Sequence, residues 1–279
     1  MNNRISALTK LTLEGKMYAH PVETKFDRED IFLSRQQMES KRVCEYILNQ
    51  QPVLTEYSKM TGFFNFDWSG AVVGDIFRRM GHKGFSELIK DFYKTSYASH
   101  RESINNLSAF EWQHATADYK KVLEKGISGI IEEIDESLKI HTTVEETEFL
   151  EALKNVANAL IGWANKCSEK ALELSEKVEN SEYRKNLETL SKALLNVPEN
   201  KPTSFYEAVL TIYVCFSADP DSVGTLDRYL FPFYKADIEN GVITRDEAKE
   251  CLQELFLMLQ AATRIDSPNF TRGGESHFA

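Results

Sequence analysis

The chain has 279 residues, of which 42% are hydrophobic, 11% aromatic and 27% charged, the make-up of a soluble globular protein with room for one large domain or two ordinary ones. Its formal net charge of −10, with no basic stripe to offset it, excludes nucleic acid and anionic membranes as partners held by general electrostatic attraction. No run reaches the roughly 18 apolar residues of a membrane helix, and the opening MNNRISALTKLTLEGKMYAH lacks the apolar core of a secretory signal, so the cytoplasm is the expected location.

The first 25 residues show no sustained period and are expected to be irregular or extended. A helix is predicted from Asp27 to Gln50. Residues 51–112 are the least regular, because Gly62, Gly70, Gly74, Gly81 and Gly84 mark turns and close backbone approaches. Short helices are predicted there near 71–80 and 84–94. Thr116 to Ile140 reads as one helix, in which Gly126 and Gly129 either weaken it or admit another backbone.

Thr143-x-x-Glu146 is a capping box, with side chains that serve the free N–H groups of a helix start. After it Leu150, Leu153, Ala157, Leu160, Ala164, Cys167, Ala171, Leu174 and Val178 recur at steps of three and four, one apolar stripe on a helix of more than thirty residues. The opposite face is charged and includes the Glu173–Lys177 pair. Because the stripe is rich in Ala, it predicts close packing against a neighbouring helix rather than a functional coiled coil. Glu182 to Asn196 is predicted as a helix stopped by Val197-Pro198. Ser204-x-x-Glu207 opens another, to Phe216; Leu226–Glu239 follows, closed by Asn240-Gly241; and Thr244-x-x-Glu247 opens the last, to Thr263. Cys44, Cys167, Cys215 and Cys251 are far apart, with no C-x-x-C and no His at ligand spacing. They are expected to be reduced core residues, and no metal site is expected.

Three blocks carry a family resemblance. The first is His114-Ala-Thr-Ala-Asp118-Tyr119-Lys-Lys-Val-Leu123-Glu-Lys-Gly126-Ile-Ser-Gly129-Ile. The second runs from Tyr183-Arg184 to Val197-Pro198 and on through Pro202-Thr-Ser-Phe205-Tyr-Glu207-Ala208. The third is Gly224-Thr225-Leu226-Asp227-Arg228-Tyr229-Leu230-Phe231-Pro232-Phe233-Tyr234, with Asp237, Gly241, Ile243-Thr244 and Glu247-Ala248 after it. Together these resemble glycyl radical enzymes of the pyruvate formate-lyase type, best over residues 111–263. The resemblance implies that residues 1–279 are the N-terminal part of one such domain. It also implies a mainly α fold with few strands, the N-terminal helical part of that family's ten-stranded α/β barrel.

The implied reaction is radical chemistry on a small-molecule substrate, of the lyase or dehydratase kind. No cofactor is bound directly; a radical-SAM activating enzyme installs a glycyl radical, and a cysteine thiyl radical attacks the substrate. Those two loops lie downstream of the blocks in this family, so no catalytic residue is expected in this chain, and alone it is expected to be inactive. The radical loop has the form R-V-x-G-[YF]; its one lookalike, Arg42-Val43-Cys44-Glu45-Tyr46, carries Glu where the glycine must be and sits in a helical pattern. The resemblance further implies a homo-oligomer, with uncovered apolar faces drawing copies together through the third block's helices or the segment Phe270–Ala279.

Candidate substrate contacts are His114, Asp219, Ser222, Thr225 and Asp227. His114 heads the first block, and it reads equally as a group capping the helix that follows. Asp219 and Ser222 suit hydrogen bonds to a hydroxyl or ammonium group, and Asp219-Pro220-Asp221-Ser222 reads equally as a solvated turn. Thr225 stands where the family usually has Arg, and Arg228 where it has Gln, which removes support for pyruvate as substrate. The alternative to an enzyme portion is a non-catalytic helical interaction protein derived from the same family.

Overall fold

The computed structural model describes residues 3–17, 32–62, 116–218 and 222–262. Within them lie eight helices: α1 Asn3–Leu13, α2 Arg35–Asn49, α3 Tyr119–Leu138, α4 Val144–Ser175, α5 Ser181–Leu194, α6 Phe205–Ala218, α7 Leu226–Glu239 and α8 Arg245–Ala262. Among the described residues the one piece of β pairing is a parallel bridge between Thr116 and Ser222. The mainly α expectation therefore holds for these ranges.

The core is built around α6. Its sequence FYEAVLTIYVCFSA is apolar on every side, and Phe205 and every residue from Ala208 to Ser217 are buried, the signature of a helix enclosed by others. It contacts α3, α4, α5, α7 and α8. The long helix α4 carries the predicted stripe, with Ala164, Cys167 and Ala171 no more than 1% exposed. Its small side chains let α5 approach until the Ser168 hydroxyl donates to Ser191 O at 2.7 Å. Trp163, 1% exposed, fills the volume beside them.

The helix ends follow their local chemistry. Thr143 and Glu146 form the predicted box at the start of α4, and Thr244 and Glu247 form the one at α8, Glu247 N–H donating to Thr244 Oγ1 at 3.2 Å and Thr244 N–H to Glu247 Oε2 at 2.8 Å. The box at α6 is only half made. Ser204 Oγ accepts from Glu207 N–H at 3.2 Å, but the Glu207 carboxylate turns to Thr203, 2.7 Å from its N–H. A fourth box, Ser34 with Gln37, opens α2. Lys177 reaches Glu173 at 2.5 Å as predicted; with Lys170 it draws the Glu173 carboxyl down to about 2.

Two predictions at the N-terminus are overturned. The first 25 residues were expected to be irregular, yet α1 occupies Asn3–Leu13. Its buried face is Arg4, Ile5, Leu8 and Thr12, so half of a helical stripe is polar and a count of apolar spacing passes over it. Arg4, 1% exposed, donates to Glu250 at 2.6 Å, Glu254 at 2.5 Å and Tyr57 O at 2.6 Å. Glu254 also accepts the N–H groups of Lys59 and Met60, at 2.7 and 2.8 Å. Burial raises its carboxyl above the ordinary range against the pull of Arg4 and these N–H groups. The second correction is the start of α2 at Arg35, where Ser34 caps it, rather than at Asp27. The short helices predicted near 71–80 and 84–94 lie outside the described residues.

Candidate functional site

The three sequence blocks, far apart along the chain, meet one another in pairs. The first meets the third where Thr116 pairs with Ser222. Beside that bridge the buried Tyr119 hydroxyl donates to Ser222 O at 2.9 Å, and its ring lies 6.0 Å from that of Tyr229 at 52°. Gly224, at φ 61°, fits this corner because a Cβ there would sit 3.0 Å from Thr116 Cγ2 and 3.1 Å from the Tyr229 hydroxyl.

The first meets the second at Gly126, which stands at φ 69°, ψ 173° and breaks α3. The N–H groups that the break frees are taken up by the second block: Ile127 donates to Pro198 O and Ser128 to Glu199 O, both at 2.9 Å. A Cβ on Gly126 would lie 2.4 Å from Glu199 O, so the glycine admits another backbone, the second of the two sequence readings. The second block meets the third at the buried Asp237, whose carboxylate accepts the Phe205 N–H at 2.8 Å. A carboxylate at the start of α6 satisfies a free N–H and suits the positive end of the helix dipole. Phe205 and Tyr234 pack edge to face there, 5.8 Å apart.

Of the candidate substrate contacts, His114 and Asp219 lie outside the described residues. Ser222 is half-buried; its hydroxyl accepts from Gly224 N–H at 3.1 Å and its carbonyl from Tyr119, so it shapes the loop. Thr225 is exposed and precedes α7 without a side-chain cap bond. Asp227 is exposed in the first turn of α7, where a negative charge favours the helix. Of these three, Ser222 is the one that the bridge sets against Thr116. Tyr119, Tyr229 and Asp237 are the junction residues that sequence reasoning quoted without assigning a part. Their signal was a buried aromatic or acid in a block otherwise read for surface chemistry.

All four cysteines are free thiols. Cys167, Cys215 and Cys251 are buried in the core, and burial pushes the Cys215 thiol up to about 12 and Cys167 well above its usual range. Cys44 lines a cleft of about 490 Å³ between α2 and α4; burial raises its thiol too. The Arg42–Tyr46 lookalike lies within α2, so Glu45 is a helical residue and does not fit a radical-bearing loop. Among the described residues no group of three or more His, Cys, Asp or Glu side chains is placed to hold a metal. No described helix is long and apolar enough to cross a membrane.

The isethionate sulfite-lyase of Oleidesulfovibrio alaskensis is 34% identical over an alignment of 193 residues that covers 61% of this chain and 23% of that protein. The chain therefore spans about a quarter of the length of this curated relative. Among solved structures, a glycyl radical enzyme from Archaeoglobus fulgidus superposes with a TM-score of 0.66 at 20% identity, over 93% of this chain and 40% of its own. The B12-independent glycerol dehydratase of Clostridium butyricum does so with a TM-score of 0.71 at 19% identity, over 96% of this chain and 41% of its own. At those identities the likeness shows a shared fold, of which these helices are a fragment. The pyruvate formate lyase-like family model matches residues 71–277, and since this match contains all three blocks that the helices bring together, the chain belongs to that family.

Proposed function

We propose that this chain is the N-terminal part of a single pyruvate formate lyase-like domain, and that it serves a glycyl radical lyase or dehydratase acting on a small molecule in the cytoplasm. The observation that supports this most is the 34% identity to an isethionate sulfite-lyase. In this reading the substrate contacts come from His114 and Asp219, which flank the Thr116–Ser222 bridge in sequence, from Ser222 in it, from Thr225 just before α7 and from Asp227 in the first turn of α7. An activating enzyme of the radical-SAM class is the partner that installs the glycyl radical, on a residue this chain does not contain. Alone the chain is inactive: its only radical-loop lookalike has Glu45 in a helix, and three of its four thiols are sealed in the core. Copies of the chain associate through α7, α8 and the turn between them, where Phe231, Phe256 and Val242 are 59%, 55% and 65% exposed.

The experiment is to read the coding sequence downstream of codon 279. A continuing frame that encodes a cysteine loop and then R-V-x-G-[YF] supports the enzyme reading. An in-frame stop with neither loop leaves the non-catalytic interaction protein in its place.

A further inference from the structure

The two halves of α4 have different neighbours. Its C-terminal half is covered by α5, and there Cys167 and Ala171 are fully buried, whereas Leu153 in the N-terminal half is 43% exposed. Another side of that N-terminal half is met by α2. Gln37 donates to Glu148 at 3.3 Å and Ser40 to Ala152 O at 3.2 Å, and a Cβ on Gly162 would stand 3.0 Å from Leu48 Cδ2. The contacts advance together along both helices, so α2 and α4 run parallel, and the small residues Ala152 and Gly162 bring them close. Along this seam lies the cleft of about 490 Å³. Its size suits a small molecule, since ligand pockets span about 300–1,000 Å³. The stretches that line it lie outside the three motif blocks.

The lining of the cleft is graded. At one end it carries Glu148 and Glu151, one turn apart on α4 and so neighbours on its surface. Glu148 is met by the neutral Gln37, and the exposed Glu151 has no cationic partner among the described residues. Lys41 lines the α2 side of the same end, but it pairs with Glu45 of its own helix at 3.8 Å, which leaves the two α4 carboxylates in excess. Towards the other end the wall is Cys44, Leu48 and Ala159. Burial raises the Cys44 thiol, so it stays protonated at neutral pH and serves as apolar wall. An anion is repelled by the carboxylates. A bare metal ion does not match either, because among the described residues no third acid, His or Cys joins the pair to hold one. We propose that this cleft binds a small organic ammonium ion, its charge at Glu148 and Glu151 and its alkyl part along Cys44, Leu48 and Ala159. Such a ligand uses both ends: its N–H groups donate to carboxylates, the stronger kind of hydrogen bond, while its carbon chain removes the apolar wall from water.

The probe is n-hexylammonium, compared on the unaltered chain with hexanol and hexanoate, which share its tail and differ in charge. Hexylammonium is expected to shift the amide resonances of α2 and of the N-terminal half of α4, more weakly as salt rises, and hexanoate to shift none. A second readout is Cys44, the one thiol of the four that is not buried: bound hexylammonium is expected to slow its alkylation by a maleimide. In Glu148→Gln/Glu151→Gln the affinity is expected to fall about tenfold or more, as loss of two charge-assisted hydrogen bonds implies. Glu169→Gln, at an exposed acid elsewhere on α4, is expected to leave it unchanged. Circular dichroism shows whether the variants keep the fold, and the comparison of the three probes decides the matter without them. Absence of hexylammonium binding, binding of hexanol or hexanoate as tight as that of hexylammonium, unslowed alkylation of Cys44, or an equal loss in Glu169→Gln overturns the proposal.

Discussion

At Gly126 the backbone stands at φ 69°, ψ 173°, a region that is essentially closed to residues with a Cβ and costs them about 1–3 kcal/mol. The carbonyl of Glu199 already occupies the space such a Cβ needs. Gly126→Ala is therefore expected to destabilise the chain by more than that strain alone, and urea unfolding followed by circular dichroism measures the loss; an unchanged midpoint would mean that α3 runs through Gly126 unbroken. That a glycine at this position admits a second backbone was legible in the sequence. Which backbone it admits was not, because Pro198 and Glu199 reach it across about seventy residues. Asp237 shows the same limit. Its place within a motif was plain, but a buried carboxylate serving the first N–H of another helix leaves no mark in local spacing.

Among the elements, α4 was the most legible and α1 the least. The stripe and capping box of α4 are local features of a long segment, and they survive folding almost unaltered. Yet the same stripe misjudged burial at Leu153, since periodicity tells which face is apolar and not how far the neighbouring helices extend. In α1 the inward face holds Arg4 and Thr12 beside Ile5 and Leu8, and its anchor is a pair of glutamates on α8. Removing one member of such a buried charge cluster strands the others, at a cost of about 3–5 kcal/mol. The covered half of α4 gives the clearest test at this scale. Ala164, 1% exposed, packs in the core, so Ala164→Glu is expected to unfold the chain or weaken it by about 2 kcal/mol or more if the carboxylate cannot reach water. A thermal midpoint within error of the parent chain would show that this face of α4 is open.

For the whole molecule, three blocks spread from His114 to Ala248 turn out to meet at three interlocking seams, so the residues that identify the family are largely those that hold its helices in register. Substrate chemistry is less legible, since the Ser222 hydroxyl already accepts from Gly224 N–H within the loop and the reacting cysteine and glycine are implied by the family alone. Exposed Phe231, Val242 and Phe256 are expected to drive self-association of the isolated chain, seen as a rise in mass with concentration by light scattering; a monomer at every concentration would leave these side chains without a covering partner. The central claim is that these helices belong to a glycyl radical enzyme but hold neither of its radical residues. The direct measurement is electron paramagnetic resonance of the purified chain after anaerobic treatment with a radical-SAM activating enzyme and S-adenosylmethionine. The account predicts no glycyl doublet, and a doublet arising from this chain alone would contradict it.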